Sequence, residues 1–289
     1  MIAALGPTMR EILAGWQGDL DPAWQPVVEG GELGYDAIDP ALTLEAWEPV
    51  FPARRGRTFP GAPAHAHIFR AFDGIAPDTV RVVVLGQDPY PCPAFATGRA
   101  FEAGNVACWR ELEKMFSVSV RCYMQLVAAA RTGDPSFAAS TAAWPRVRGE
   151  IEAGRLALEP PAEIADRWVR QGVLLINSAL TLSRFKVEGD PHQLRGHLPL
   201  WRPFIRRVLT HLADRGSPTV FIGFGGQAAD ALSEAGITET PAGDDRAGGW
   251  IACILREHPA LGDAVLRREN PFLLANRHLE RMGARPVSW

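Results

Sequence analysis

The sequence predicts a single α/β domain with three α/β/α layers around a central, mostly parallel, four-stranded twisted sheet. Two observations predict this fold class. Short apolar runs rich in branched residues recur along the chain, as in strands buried on both faces of a parallel sheet. They are Val80–Leu85, Val173–Ile176, Thr219–Phe224 and Trp250–Leu255. Segments of helical character separate these runs, and alternating strands and helices are typical of doubly wound folds with right-handed crossovers.

The remaining segments of the domain, which we expect to span residues 1–289, follow in chain order. Residues 1–50 mix short apolar stretches with Gly, Pro and acidic residues, so peripheral helices and loops are expected there. Pro52–Pro63 is predicted to be a loop, and Ala64–Phe72 a helix that leads into the first strand. Residues 103–161 are expected to form an elaborated connection rather than a second domain. Further helices are expected at Ser119–Arg131, Ala162–Arg170 and Leu200–Arg215.

The composition restricts the class of protein. With 289 residues, of which 47% are apolar and 22% charged, the chain resembles an ordinary soluble globular domain. Its formal net charge is −3, so contact with nucleic acid would have to rest on a local basic patch. Arg54, Arg55 and Arg57 form one basic cluster, and Arg267 and Arg268 form another.

The cysteines and the N-terminal residues exclude other classes. Cys92, Cys108, Cys122 and Cys253 form no C-x-x-C pair, so we expect reduced thiols and no bound metal. The first residues lack the basic and apolar regions of a signal peptide. No apolar run approaches the roughly 20 residues that span a bilayer. We therefore expect a cytoplasmic protein without membrane contact.

Residues capable of chemistry follow three of the four predicted strands, where ligands bind in open parallel sheets. The first strand is followed by the motif GQDPYP at 86–91 and by GRAF at 98–101. The second ends at Asn177, and the fourth is followed by His258 and Pro259. A carboxylate, aromatic rings, an amide and an imidazole are therefore expected to converge at one edge of the sheet.

Together these motifs resemble those of the family-1 uracil-DNA glycosylases, which carry G-Q-D-P-Y, G-x-A-F, L-L-N-x-x-L-T and a late H-P loop. The resemblance extends from about Pro52 to the C-terminus, where Arg277, His278 and the ending RPVSW also match. It implies a monomeric DNA-repair hydrolase that needs no cofactor or metal. Such an enzyme flips uracil out of single- or double-stranded DNA and cleaves its N-glycosidic bond, releasing free uracil and leaving an abasic site. The motifs contain no Lys, which argues against a Schiff-base lyase step and for a monofunctional enzyme.

Asp88 is the strongest candidate for the chemistry. Breaking an N-glycosidic bond creates positive charge on the sugar and needs a positioned water, and one ionised carboxylate serves both requirements. The resemblance implies that His258, as a neutral imidazole, donates a hydrogen bond to O2 of the departing uracil. The alternatives are an Asp-Pro turn without chemistry and a histidine that only caps a strand end.

Uracil recognition is expected from Asn177, because one planar amide offers both a donor and an acceptor. It matches O4 and N3–H of uracil and mismatches cytosine at both positions. By resemblance, Tyr90 blocks the methyl group of thymine, Phe101 stacks on the base and Gln87 contributes backbone groups. Either aromatic ring could instead belong to the core.

Contacts to the DNA backbone are also expected by resemblance. Ser119 would contact a phosphate, and Gly225 and Gly226 would bring backbone N–H groups close to the DNA. His192 and Gly196 match an H-x-x-x-G segment of the family, and either a solvated loop or a DNA contact is expected there.

The loop after His258 should supply the side chain that fills the stack vacated by the flipped base. Leu261 is the expected wedge, with Leu266 as the alternative; both leucines could instead pack inward. Arg267 and Arg268 would then face phosphates.

The sequence departs from the family pattern at three places. Pro91 replaces a His, for which we expect altered efficiency rather than lost activity. Val118, Ser119 and Val120 stand where the family has a run of prolines, and the loop after His258 is not the family's H-P-S-P-L-S.

Three other functions remain open from the sequence. They are a glycosylase with a shifted damaged-base preference, a non-catalytic module that binds damaged bases, and a hydrolase of free nucleosides. The two arginine clusters favour a DNA substrate over a free nucleoside.

Overall fold

The computed structural model describes residues 2–114, 118–184, 191–241 and 249–289. Its strands are β1 (Ile2–Ala4), β2 (Thr43–Glu45), β3 (Val82–Gly86), β4 (Val173–Asn177), β5 (Thr219–Phe224) and β6 (Ile251–Arg256). The last four form a parallel sheet in the order β4-β3-β5-β6. This confirms the predicted fold class. A small antiparallel pair, β1 with β2, was not predicted.

The α-helices of the described residues surround this sheet. They are α1 (Leu5–Ile12), α2 (Gln25–Val28), α3 (Val118–Thr132), α4 (Trp144–Glu152), α5 (Pro161–Val169), α6 (Leu198–Asp214), α7 (Gly226–Glu234), α8 (Asp263–Leu266) and α9 (Pro271–Arg281). The helices predicted from the sequence at 119–131, 162–170 and 200–215 correspond to α3, α5 and α6 within two residues at each end. No described helix is long and apolar enough to cross a membrane.

The helix predicted at Ala64–Phe72 is wrong, because only the short 3₁₀ turn Arg70–Phe72 forms there. Two backbone N–H groups of this segment have partners elsewhere in the chain. His67 donates to the Thr97 carbonyl at 3.1 Å, and Ile68 donates to the Ala53 carbonyl at 2.9 Å. These long-range bonds replace the bonds of a helix, and sequence periodicity does not reveal them.

The strands separate two apolar cores, as expected for strands that alternate their side chains between faces. Val83, Leu85 and Leu174 face one core, which also contains side chains from α1 and α6. Val82 and Val84 face the other, formed with α3, α5 and α9. Leu5, Met9, Trp16 and Trp24 are buried in the first core, so the N-terminal region contributes to it. That the chain is one domain stays a prediction.

The sheet register aligns the carboxyl ends of neighbouring strands. Gly86 at the end of β3 pairs with Asn177 at the end of β4. Phe224 at the end of β5 pairs with Arg256 at the end of β6. The loops that carry the sequence motifs therefore leave the sheet side by side.

Phe69 lies at the centre of an aromatic cluster in the first core. Its ring centroid is 5.6 Å from that of Trp16, 5.7 Å from that of Trp201 and 5.8 Å from that of Phe204. We expect Phe69→Ala to lower the free energy of unfolding by about 3–5 kcal/mol, because it opens a cavity among these rings. Urea unfolding measures this effect. The control is Trp47→Ala, at a ring that is 78% exposed, and a similar loss there would contradict the explanation.

Candidate active site

The floor of the site is built around Gly86. A Cβ atom at this position would lie 2.5 Å from Oδ1 of Asn177, 3.2 Å from Cβ of Ala100 and 3.5 Å from Cε2 of Phe101. A glycine is therefore needed for the amide of Asn177 and the ring of Phe101 to approach the same point. The structure brings together these two residues, which the sequence analysis singled out.

Ser178 fixes the two strand ends that carry this floor. Its backbone N–H and its Oγ both donate to the Gly86 carbonyl at 3.0 Å. The Ala179 N–H donates to the carbonyl of Gln87 at 2.9 Å, so this backbone group of Gln87 is bonded within the protein. Sequence reasoning missed Ser178, because a serine after a strand carries no signal of its own.

Asp88 follows in the same loop and is largely enclosed. Its Oδ2 atom is buried and has no hydrogen-bond partner among the described residues. Burial without a compensating charge raises the pKa of the carboxyl group to about 7. The sequence analysis expected an ionised carboxylate, and in the free protein this group is at the midpoint of its titration near neutral pH.

Phe101 has an unusual backbone and one covered ring face. Its φ of 59° lies in the left-handed region, which residues other than glycine rarely adopt. The ring stacks on Tyr123 of α3 at a centroid distance of 4.5 Å and an interplanar angle of 10°. It also meets the edge of Phe224 at 5.2 Å. Phe101 is only half-buried, so it packs on the core and still reaches the surface of the site.

Tyr90 and Ser119 are joined to each other. The Tyr90 phenol is hydrogen-bonded to the Ser119 side chain, and burial raises the pKa of the phenol above its ordinary value. Ser119 lies in the first turn of α3, in the same helix as Tyr123. Its side chain therefore orients Tyr90, and the expected phosphate contact stays a prediction. Pro91 is exposed immediately after this tyrosine.

His258 follows β6, and its tautomer is set by the backbone. Its Nδ1 atom accepts the Ala260 N–H at 3.1 Å, so a neutral ring carries its proton on Nε2. Burial lowers the pKa of the imidazole, which favours this neutral form. The ring can therefore donate a hydrogen bond through Nε2, as the sequence analysis expected.

Gly225 allows the backbone to approach His258 closely, and its own N–H is bonded within the protein. With a φ of 89°, it brings the turn between β5 and α7 so close that a Cβ atom there would lie 3.2 Å from Cβ of His258. Its N–H donates to the Arg256 carbonyl at 2.8 Å. The expected contact of this N–H with DNA is therefore not available, whereas Gly226 is exposed at the start of α7.

The loop after His258 exposes one of the two candidate wedge residues. Leu261 ends the 3₁₀ turn Pro259–Leu261 and is 63% exposed, and its N–H donates to the His258 carbonyl at 2.8 Å. Leu266 is only 6% exposed and packs in the second core. Thr141 braces the loop, because its N–H donates to Oδ1 of Asp263 at 2.6 Å.

The two arginine clusters are placed differently. Arg267 and Arg268 are exposed, and Nη1 of Arg268 is 3.0 Å from Oε1 of Glu257. Arg54 instead forms an ion pair with Asp19, in which both side chains are largely buried. Arg55 pairs with Asp73. The charge of Arg54 is therefore paired inside the protein, whereas Arg55 pairs with Asp73 at the surface.

His192 and Gly196 do not form the expected solvated loop. His192 is buried and its Nδ1 is 3.0 Å from Oγ of Ser183, which is 2.9 Å from Nε2 of the buried His197. A Cβ atom at Gly196 would lie 2.8 Å from Cδ2 of Leu5. The solvated-loop alternative is wrong for both residues, which are part of the packing around α6.

Comparison with known proteins gives the family. No family model matches the sequence. The chain is 32% identical over 208 residues to the uracil-DNA glycosylase of Exiguobacterium sibiricum, covering 71% of this chain and 74% of that protein. It is 28% identical over 273 residues to the uracil-DNA glycosylase of a Parafrankia species, covering 93% of this chain and 95% of that protein.

Solved structures show the same fold. The wild-type UNG of Nitratifractor salsuginis superposes with a TM-score of 0.56 at 24% identity, covering 96% of this chain and 95% of that chain. Mimivirus uracil-DNA glycosylase superposes with a TM-score of 0.51 at 18% identity, covering 84% of this chain and 75% of that chain. The parallel α/β sheet described above is therefore the fold of these solved structures. The chain is a member of the uracil-DNA glycosylase family.

We expect Gly86→Ala to displace the Asn177 amide, because the new methyl group would overlap Oδ1 of that side chain. The overlap is with a polar atom in the binding floor, so affinity for free uracil should fall at least tenfold, which corresponds to about 1.4 kcal/mol. Competitive inhibition by uracil, or calorimetry, measures it. Gly149→Ala in α4, where a Cβ atom meets nothing within 4 Å, is the control and should leave uracil affinity unchanged.

Proposed function

We propose that this protein excises uracil from DNA by hydrolysis of the N-glycosidic bond, leaving an abasic site and free uracil. Its family membership supports the reaction. The observation that carries the proposal is the arrangement around Gly86, where the Asn177 amide and the half-buried Phe101 ring converge at the end of the strand that leads to Asp88. The residue roles below are part of the same proposal.

Recognition of the base rests on Asn177 and the two aromatic side chains. Tyr123 covers one face of the half-buried Phe101 ring, and a planar base would stack on the other. Asn177 is buried at the end of β4, so its amide would pair with uracil away from competing water. Tyr90, held through Ser119, would stand against C5 of the base and exclude a methyl group.

The bond is broken between C1′ of the sugar and N1 of uracil, and a new bond forms between C1′ and the water oxygen. Ionised Asp88 would stabilise the positive charge at C1′ and accept the proton that the water loses. The electron pair of the broken bond leaves with uracil and spreads to O2. The Nε2–H of His258 would donate to that oxygen, because Nδ1 is already bonded to Ala260.

The net charge of −3 does not favour DNA binding, so local groups would have to bind the DNA. Leu261 would enter the stack that the flipped base leaves. Arg267, Arg268 and the exposed start of α7 at Gly226 would meet phosphates. We also propose that the protein acts as a monomer, since the residues assigned to base and DNA all lie on one chain.

The direct test is excision from single- and double-stranded DNA that contains uracil, with wild type beside Asp88→Asn. We expect release of free uracil by wild type and a loss of at least two orders of magnitude in the variant. A panel containing oxidised bases, thymine mismatches and free deoxyuridine distinguishes the other candidates. Tight binding of uracil DNA without product would establish a binding module, and preference for another base or for deoxyuridine would overturn the proposal.

The acid side of the pH–rate profile should report Asp88. Its pKa is raised to about 7, and the reaction needs the ionised form. We therefore expect kcat/KM to fall about tenfold per pH unit below pH 7. Burial lowers the pKa of His258, so protonation of that ring is shifted to lower pH than for an ordinary histidine. A profile that stays flat down to pH 5 would be inconsistent with this assignment.

Stability gives an independent readout of the same group. The folded protein keeps the proton on Asp88 to a higher pH than the unfolded chain, whose carboxyl titrates near the ordinary 3.8. Its contribution to stability is therefore present below about pH 4 and is lost as the pH rises to about 7. Asp88→Asn should remove this pH dependence in urea unfolding, so that the variant is more stable than wild type at pH 8.

Substitution of the two leucines in the loop after His258 should affect different properties, DNA excision for Leu261 and stability for Leu266. Leu261→Ala removes an exposed side chain, so we expect excision from double-stranded DNA to fall about tenfold while single-stranded DNA and thermal stability are little affected. Leu266→Ala opens the core and should lower the unfolding free energy by about 2–5 kcal/mol. Equal losses on both DNA forms in Leu261→Ala would refute the wedge assignment.

A further inference from the structure

Phe101 keeps a backbone conformation that its own side chain disfavours. Its φ of 59° brings Cβ into conflict with the backbone, and such a conformation persists only where the surroundings impose it. Stacking on Tyr123 fixes the ring but does not explain the backbone. The residues on either side of Phe101 therefore have to supply the constraint.

Arg99 and Glu102 bracket this residue with a buried ion pair. Nη1 of Arg99 lies 3.3 Å from Oε1 of Glu102, and the two side chains are 3% and 7% exposed. The pair joins the positions before and after the segment Ala100–Phe101. The Ala100 N–H also donates to the Leu175 carbonyl of β4 at 3.2 Å, so the segment is tied to the sheet as well.

The same guanidinium anchors the segment to α5. Nη1 of Arg99 is 2.6 Å from Oδ1 of Asp166, and Nη2 of Arg70 is 3.8 Å from that oxygen. Burial alone would raise the pKa of Asp166, but the hydrogen bond from Arg99 and the nearby positive charges bring the pKa below its ordinary value. One arginine thus holds two carboxylates, that of Glu102 directly after the strained residue and that of Asp166 on α5.

Stability alone does not account for this cluster. Buried ion pairs contribute little net stability compared with apolar side chains of the same volume. Here Nε of Arg99 and Oε2 of Glu102 are, in addition, buried without a hydrogen-bond partner among the described residues. The cluster instead orients the segment that carries Phe101, because it fixes the backbone on both sides of that residue.

We propose that Arg99 is a positioning residue for uracil, which acts through Glu102 and Asp166 to hold Phe101 with its free face toward the base. This rests on the proposed function, in which Phe101 stacks on uracil. Arg99 itself does not touch the base. Its removal should therefore weaken base binding through Phe101 while the fold and the grip on the DNA backbone persist.

The experiment compares Arg99→Met, which removes the charge but keeps a long side chain, with Arg99→Lys, which restores the charge. We expect the inhibition constant for free uracil to rise about tenfold in Arg99→Met, the loss of roughly one base–aromatic stack. Affinity for DNA with an abasic site should not change, because no base is present to stack. Arg99→Lys should recover part of the uracil affinity.

Arg131→Met is the matched control. Arg131 forms a half-buried ion pair with Glu159 at 2.9 Å, on α3 and away from Phe101. The Arg131→Met substitution should lower thermal stability at least as much as Arg99→Met does. It should not change the inhibition constant for free uracil. If Arg99→Met does not fold, Glu102→Gln carries the same test, since it neutralises the partner that follows Phe101.

The outcomes separate the two proposals. Wild type without uracil excision would overturn the proposed function itself. Active wild type, with Arg99→Met and Glu102→Gln that lose thermal stability but keep wild-type inhibition by uracil, would overturn the positioning role. Equal weakening of uracil and abasic-DNA binding would also overturn it, because a general distortion and not the Phe101 stack would then be responsible.

Discussion

Everything at the polar edge depends on the in-register parallel pairing of β3 with β4, which sets Gly86 opposite Asn177. A shift by one residue would turn the amide to the other face of the sheet. The Asn177 amide can lie at this point because Gly86 has no side chain, and Ser178 ties both strand ends to one carbonyl. The Phe101 ring approaches the same point, which backbone hydrogen bonds fix.

Burial of the site has opposite consequences for the proposed roles of Asp88 and His258. Excluding water from Asp88 strengthens its interaction with a developing positive charge, yet it also raises the cost of ionising the group in the free protein. His258 is enclosed too, and for an imidazole the effect is the reverse, since burial favours the neutral donor. Burial therefore favours the neutral form of both side chains, which suits the proposed role of His258 and opposes the proposed role of Asp88.

Much of this could be predicted from the sequence, and the rest could not for identifiable reasons. Buried parallel strands have a strong local signature, so the strands and the polar residues at their ends were found together. The left-handed φ of Phe101 leaves no trace in the residue type. Arg54 and Arg55 suggest a basic surface until the fold brings Asp19 and Asp73 to them. Leu261 and Leu266 are alike in sequence, and only burial distinguishes them.

The short turn between His258 and Leu261 has a mechanical consequence. Three residues of 3₁₀ helix, closed by the bond from the Leu261 N–H to the His258 carbonyl, leave little slack between the two side chains. The Asp263–Thr141 contact anchors the far end of the loop. In the proposed function, this short closed turn would couple the position of Leu261 in the DNA stack to the position of the His258 imidazole.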